Sequence, residues 1–183
     1  MGLLKQGYKD PTGGSNYMKL QQGENKIRIL TEPLMGWEYW TEDNEGKKVT
    51  RVREFKDVPM EVRSSTDPQA KAKYFWALLV WSYADEQAQV LTLTQASIRK
   101  AIAGLDEDPD WGDAREYDLS IKKSGEKLET EYQVNPKPKA KFVEKGKDIP
   151  TVNLEALFDN ADPFAVAEEP KKQDAQALDV PTV

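Results

Sequence analysis

The stretch Lys73–Tyr83 constrains the fold more than any other part of the sequence, because it is apolar at nearly every position. In an extended chain successive side chains point to opposite sides. Trp76, Leu78 and Val80 then fall on one side, and Phe75, Leu79, Trp81 and Tyr83 on the other. A strand of this kind is either buried on both faces or presents one aromatic face to a ligand. Trp76, Leu78 and Val80 are assigned to the core, which leaves Phe75, Trp81 and Tyr83 as candidate rings for a ligand. One step of register would exchange the two sets.

Weaker patterns surround this strand. Ile27, Ile29 and Thr31 alternate with Lys26, Arg28 and Leu30, so Lys26 and Arg28 project from the face opposite the core. Pro33 and Gly36 turn the chain into Trp37–Thr41, where Trp37 and Tyr39 share a face and Trp40 points the other way. Residues 42–73 read as a long, partly structured loop. Gln89–Thr94 is the antiparallel partner of Lys73–Tyr83, reached through a turn at Asp85 and Glu86. The period then changes: Ile98, Ala101, Ile102 and Leu105 make an amphipathic helix with Thr94 as N-cap and Gly104 near its end. Tyr117, Leu119 and Ile121, then Leu128, Thr130, Tyr132 and Val134, alternate as two strands joined at Ser124-Gly125. Order is expected to weaken after residues 135–139.

Three strand regions, a helix and a two-stranded hairpin make the element order of a five-stranded OB-fold barrel, with its helix between strands 3 and 4. Other small β-rich folds fit the same order. The expected organisation is a flexible arm at 1–16, a mainly β domain at 17–143, and a flexible, largely disordered acidic tail at 144–183 with a short helical patch at 152–158.

The net charge is -6, and its distribution is uneven. Residues 144–183 hold nine acids against four lysines, which leaves residues 1–143 close to neutral. Residues 47–73 carry eight cations (Lys47, Lys48, Arg51, Arg53, Lys56, Arg63, Lys71, Lys73) against four acids. This basic stretch lies between the aromatic clusters Trp37–Trp40 and Tyr74–Tyr83. Rings beside cations suit single-stranded nucleic acid, whose unpaired bases stack on aromatic side chains while Lys and Arg neutralise its phosphates. A solvated basic loop and core-filling rings are the structural alternatives. The candidate DNA-binding residues are Arg28, Trp37, Tyr39, Trp40, Lys47, Lys48, Arg51, Arg53, Lys73, Phe75, Trp81 and Tyr83.

The chain has no Cys and no His. That removes disulfides, thiol nucleophiles, the commonest metal ligand and the commonest general base. Asp106, Asp108 and Asp110 occupy positions 1, 3 and 5 of a calcium-loop pattern, but Trp111 stands where the turn needs glycine and Tyr117 where the last carboxylate belongs. A solvated turn with Trp111 tucked against the barrel is expected instead. Phosphate-binding glycine loops are absent. No enzyme activity, metal or cofactor is expected. Nor is a membrane span, since no apolar run nears the roughly 20 residues one requires; with no secretory leader at the N-terminus, the cytoplasm is the expected location.

The run Asp110-Trp111-Gly112-Asp113, then Tyr117–Lys123, Gly125, and Leu128–Tyr132 leading to Pro136-Lys137-Pro138, resembles phage single-stranded DNA-binding proteins of the OB-fold, gene 32-like type. So do Tyr17–Leu20, Gly23–Leu30 and Phe75-Trp76-Ala77. The likeness spans roughly residues 17–139. It implies coating of single-stranded DNA during phage replication, recombination and repair, in the cytoplasm of a bacterial host. Without the Cys and His that hold a structural zinc in the best-known gene 32 protein, the implied relative is zinc-free. The resemblance also implies recruitment of replication or recombination proteins through the acidic tail, and it allows self-association on DNA. The competing reading is a protein-interaction module, such as a replication scaffold or virion component, with no direct contact to DNA. A nuclease would need a metal site at Asp106, Asp108 and Asp110.

Overall fold

The computed structural model describes residues 15–165. The expected arm at 1–16 falls almost wholly outside them, as does the tail beyond residue 165. The fold is mainly β. Among the described residues seven strands run β1 (Gly23–Ile29), β2 (Leu34–Asp43), β3 (Gly46–Val52), β4 (Lys73–Ser82), β5 (Gln87–Leu93), β6 (Tyr117–Ser124) and β7 (Glu131–Lys139). Helix α1 (Met60–Arg63) precedes β4, and α2 (Ala96–Glu107) lies between β5 and β6. Backbone contacts divide the chain into two units, residues 15–35 with 74–149 and residues 36–73 with 150–165, where a single domain at 17–143 was expected.

In the first unit the antiparallel ladders run β5–β4–β1–β6–β7. Among the described residues no ladder joins β5 to β7, so the run is open and the expected barrel closure is not seen. The core takes Ile27 and Ile29 from β1, Leu78 and Val80 from β4, Leu91 and Leu93 from β5, Leu119 and Ile121 from β6, and Ile98 and Ile102 from α2. Ile98 and Ile102 are one turn apart, so one stripe of α2 is enough to close over the sheet. Trp76, expected inside, is only half-buried at the margin of this core.

Local boundaries depart from the sequence pattern for identifiable reasons. Gln95, not Thr94, stands at the start of α2 and makes no side-chain cap. The helix passes through Gly104 and stops at Asp108, which is extended (φ -74°, ψ 122°) because it precedes Pro109. Leu128, expected in a strand, is fully exposed in a 3₁₀ turn at Lys127–Glu129. β7 runs past Val134, the last residue of the expected alternation, through Pro136 and Pro138 to Lys139. An edge strand accepts proline because one row of its N–H groups has no partner strand. Gly125 opens the β6–β7 connection with φ +75°, a conformation that costs glycine nothing.

The second unit is built on the β2–β3 hairpin, with Trp37 opposite Val52, Tyr39 opposite Thr50 and Trp40 opposite Val49. The expected partly structured loop at 42–73 holds β3, a 3₁₀ turn at Phe55–Asp57 and α1. Residues 150–165 add a 3₁₀ helix at Leu154–Asp159, in which Leu157 is buried, in place of the expected patch at 152–158. Trp111 packs against the core of the first unit, its ring 5.4 Å from Tyr117. No helix among the described residues is long and apolar enough to cross a membrane.

Candidate nucleic-acid interface

The register of β1 against β4 sets Arg28 directly opposite Trp81 and Ile27 opposite Ser82. Directly opposed residues share a face. Just past the ladder, the Tyr83 backbone N–H donates to the Lys26 carbonyl (3.2 Å), and the Lys26 ammonium stands 4.5 Å from the Tyr83 ring centroid. Two cations of β1 thus meet two rings at the end of β4. Their shared anchor is Asp118 on β6, whose Oδ1 accepts from Arg28 Nε (2.8 Å) and from the Tyr83 hydroxyl (2.8 Å). Burial first, and then this hydrogen bond to a carboxylate, push the Tyr83 phenol up to about 12.

The chain leaving β7 crosses this face. The Ala140 N–H donates to the Glu116 carbonyl (3.2 Å), and the Ala140 carbonyl accepts from Arg28 (2.8 Å). Phe142 follows, with its ring 5.5 Å from the Arg28 guanidinium and 6.3 Å from the Trp81 ring. The Lys147 ammonium then sits 5.6 Å from Trp81 and 5.3 Å from Phe142, and it donates to the Val143 carbonyl (2.6 Å). Each ring of the cluster, Tyr83, Phe142 and Trp81, therefore faces a cation at a separation where ring and charge attract.

Hollows flank this strap. One of about 320 Å³ is lined by Trp81, Tyr83, Glu86, Lys145 and Lys147. Another of about 550 Å³ is lined by Arg28, Arg115, Lys139, Lys141 and Phe142, with Glu116 and Glu144. Among the described residues no carboxylate lies within ion-pair distance of Lys141, Lys145 or Lys147. Those charges are available to an incoming anion.

In the second unit, Trp40 is 58 % exposed on the hairpin. The pairs Glu38–Arg51, Trp40–Val49 and Glu42–Lys47 share its face. Arg51 is held by Glu38 (Nε–Oε2 3.1 Å), and Lys48 by Asp43 (3.0 Å), which draws the Asp43 carboxyl below its usual value. Arg53 pairs with Glu155 and lies 4.4 Å from the Phe158 ring. Trp37 packs on Phe55, with centroids 4.7 Å apart. Lys47 and Lys73 are exposed, and among the described residues neither has a carboxylate within ion-pair distance.

Four residues expected to face DNA are buried: Phe75 at 0 %, Arg28 at 2 %, Trp81 at 5 % and Tyr39 at 7 % exposure. The physical reason is clearest at Trp81 and Arg28. Strand alternation correctly put both opposite the core, but the strap at 140–147 covers that face. Phe142, Lys147 and their neighbours Lys139, Lys141 and Lys145 were missed, because the acidity of residues 144–183 as a whole masked a local run. Residues 137–147 contain five lysines and one Phe against a single Glu, and that run was the available signal.

Among the described residues no group of three or more acidic side chains is arranged to hold a metal. In the Asp106–Asp110 segment, side chains serve turns instead: Asp106 Oδ1 accepts from the Ala114 N–H (2.9 Å) and Asp108 Oδ1 from the Asp110 N–H (2.8 Å). Comparison of the chain with protein-family models, curated proteins and solved structures gives no match.

Proposed function

We propose that the protein binds single-stranded DNA with little sequence preference and without catalysis, coating it during phage replication, recombination and repair in the bacterial cytoplasm. The observation that carries this reading is the pair of part-exposed rings of the first unit, Tyr83 and Phe142, which stand against Lys26 and Lys147. Stacking of a base on such a ring contributes about 1–3 kcal/mol regardless of base identity, and adjacent lysines neutralise the phosphates. Phe142 and Tyr83 are half-buried and keep part of their rings accessible.

The strand order supports an OB-fold reading. Taken as barrel strands, β1, β4, β5, β6 and β7 run 3-2-1-4-5 across the sheet, with α2 between the third and fourth. The β2–β3 hairpin, with Trp40 and Lys47, is then an elaboration of the connection between the first two strands, one of the loops with which OB folds grip oligonucleotides. The acidic tail at 144–183 is read as the segment that recruits partners.

Titration with dT oligomers tests the proposal. Quenching of Trp fluorescence is expected, with log affinity falling against log salt by about 0.7 per phosphate contacted. Equal affinity for duplex and single strand would refute it.

A further inference from the structure

A third hollow of the first unit has the opposite electrostatic character. It measures about 680 Å³ and lies among α2, the connection from β1 into β2, and the 3₁₀ turn Ala114–Glu116. Its floor is apolar: Ile29, Trp76, Leu78 and Ile102 line it, with Met35 at its edge 45 % exposed. Its rim carries Glu32, Asp106, Glu107 and Asp113 against one cation, Arg115. That guanidinium is already occupied, by Asp113 at 2.6 Å and Glu32 at 3.8 Å. The excess negative charge is felt nearby, since the Tyr117 phenol is raised by burial and then by Asp106, Asp113, Asp108 and Glu116.

The carboxylates would repel a nucleic-acid strand, and the groove shares only Arg115 with the hollows that flank the strap, so its ligand is of the opposite charge. An apolar floor of this extent asks for an apolar side chain, and a flexible Met beside a half-buried Trp adapts to several shapes. The surrounding carboxylates ask for cations on either side of that side chain. We propose that this groove docks a basic amphipathic segment of a partner protein, in which an apolar anchor enters beside Trp76 and Met35 while flanking Lys or Arg side chains meet Glu32, Asp106 and Glu107.

The test uses the full chain and a fluorescently labelled amphipathic peptide of Leu and Lys, with a Lys-only peptide and a Leu/Glu peptide as controls. The Leu/Lys peptide is expected to bind, and the two controls at least about tenfold more weakly. Glu32→Lys combined with Glu107→Lys, both at exposed positions, should weaken binding of the Leu/Lys peptide about tenfold, and so should Met35→Glu alone. Binding of dT oligomers by these variants should be retained, so failure of the groove and failure of the DNA reading are told apart. Equal binding of the Leu/Lys peptide by wild type and variants would overturn the proposal, as would equal binding of the Lys-only peptide. Binding seen only after removal of residues 1–14 would assign the groove to the chain's own N-terminal segment and overturn the partner assignment.

Discussion

Arg28→Met separates a structural arginine from one that contacts DNA. The Arg28 side chain is 3 % exposed, and its partner Asp118 is 16 % exposed. The substitution removes the charged hydrogen bond to Asp118 (2.8 Å), the bond to the Ala140 carbonyl (2.8 Å) and a longer one to the Arg115 carbonyl (3.3 Å). Breaking a buried pair from one side costs about 3–5 kcal/mol, because the remaining charge is left without its partner. Asp118 keeps the Tyr83 hydroxyl at 2.8 Å and Lys26 at 3.7 Å, which places the expected loss at the lower end, about 3 kcal/mol. Urea unfolding followed by Trp fluorescence reads this as a drop in midpoint of about 1–3 M for a domain whose denaturant slope is about 1–3 kcal/mol/M. Asp118→Asn should also destabilise, and the double variant should lose less than the sum of the singles, because the two side chains are in direct contact. If Arg28→Met stays within about 0.5 kcal/mol of wild type while affinity for dT oligomers falls tenfold, Arg28 is a phosphate contact and the strut assignment is refuted.

The exposed Trp40 supports no core, so Trp40→Ala should leave the unfolding midpoint unchanged while weakening single-strand binding by about 1–3 kcal/mol in fluorescence or anisotropy titrations. Lys47→Ala should reduce the salt slope by about 0.7, the contribution of one phosphate contact. The Tyr83 phenol is raised from 10.0 to about 12, so the folded state holds this proton more tightly than the unfolded state. Its contribution to stability is therefore fully present below pH 10 and lost as pH rises towards 12, and Tyr83→Phe should flatten that part of the stability-versus-pH curve. Gly125→Ala should cost about 2 kcal/mol or more by urea unfolding, since φ is +75° and the added methyl would overlap the Glu129 carbonyl oxygen.

The side on which each strand residue falls could be read from the sequence, because a period of two is fixed by the backbone. Ile27, Ile29, Leu78, Val80, Leu119 and Ile121 all lie in the core as alternation predicts. What covers the opposite side could not be read that way. Arg28 and Trp81 were placed correctly on the outer face, yet Phe142 arrives there from more than a hundred residues along the chain from Arg28, and no local pattern encodes such a contact. β3 was only faintly legible, for a different reason. Its residues are mostly polar because neither Lys47 nor Lys48 enters a core, so hydrophobic periodicity is faint, and the strand is specified instead by pairing with β2 across the Asn44-Glu45 turn. The continuation of β7 through Pro136 and Pro138 was masked by residues that ordinarily end a strand, and its edge position removes that penalty.

Single-strand binding is tested most directly by photo-crosslinking an iodouracil-substituted dT oligomer to the full chain at low salt, then identifying the linked peptides. The expected result is crosslinks at Tyr83 or Phe142 in the first unit and at Trp40 in the second, all suppressed by excess unlabelled single strand but not by duplex. Crosslinks absent from all three rings, or competed equally by duplex, would contradict single-strand stacking at these surfaces.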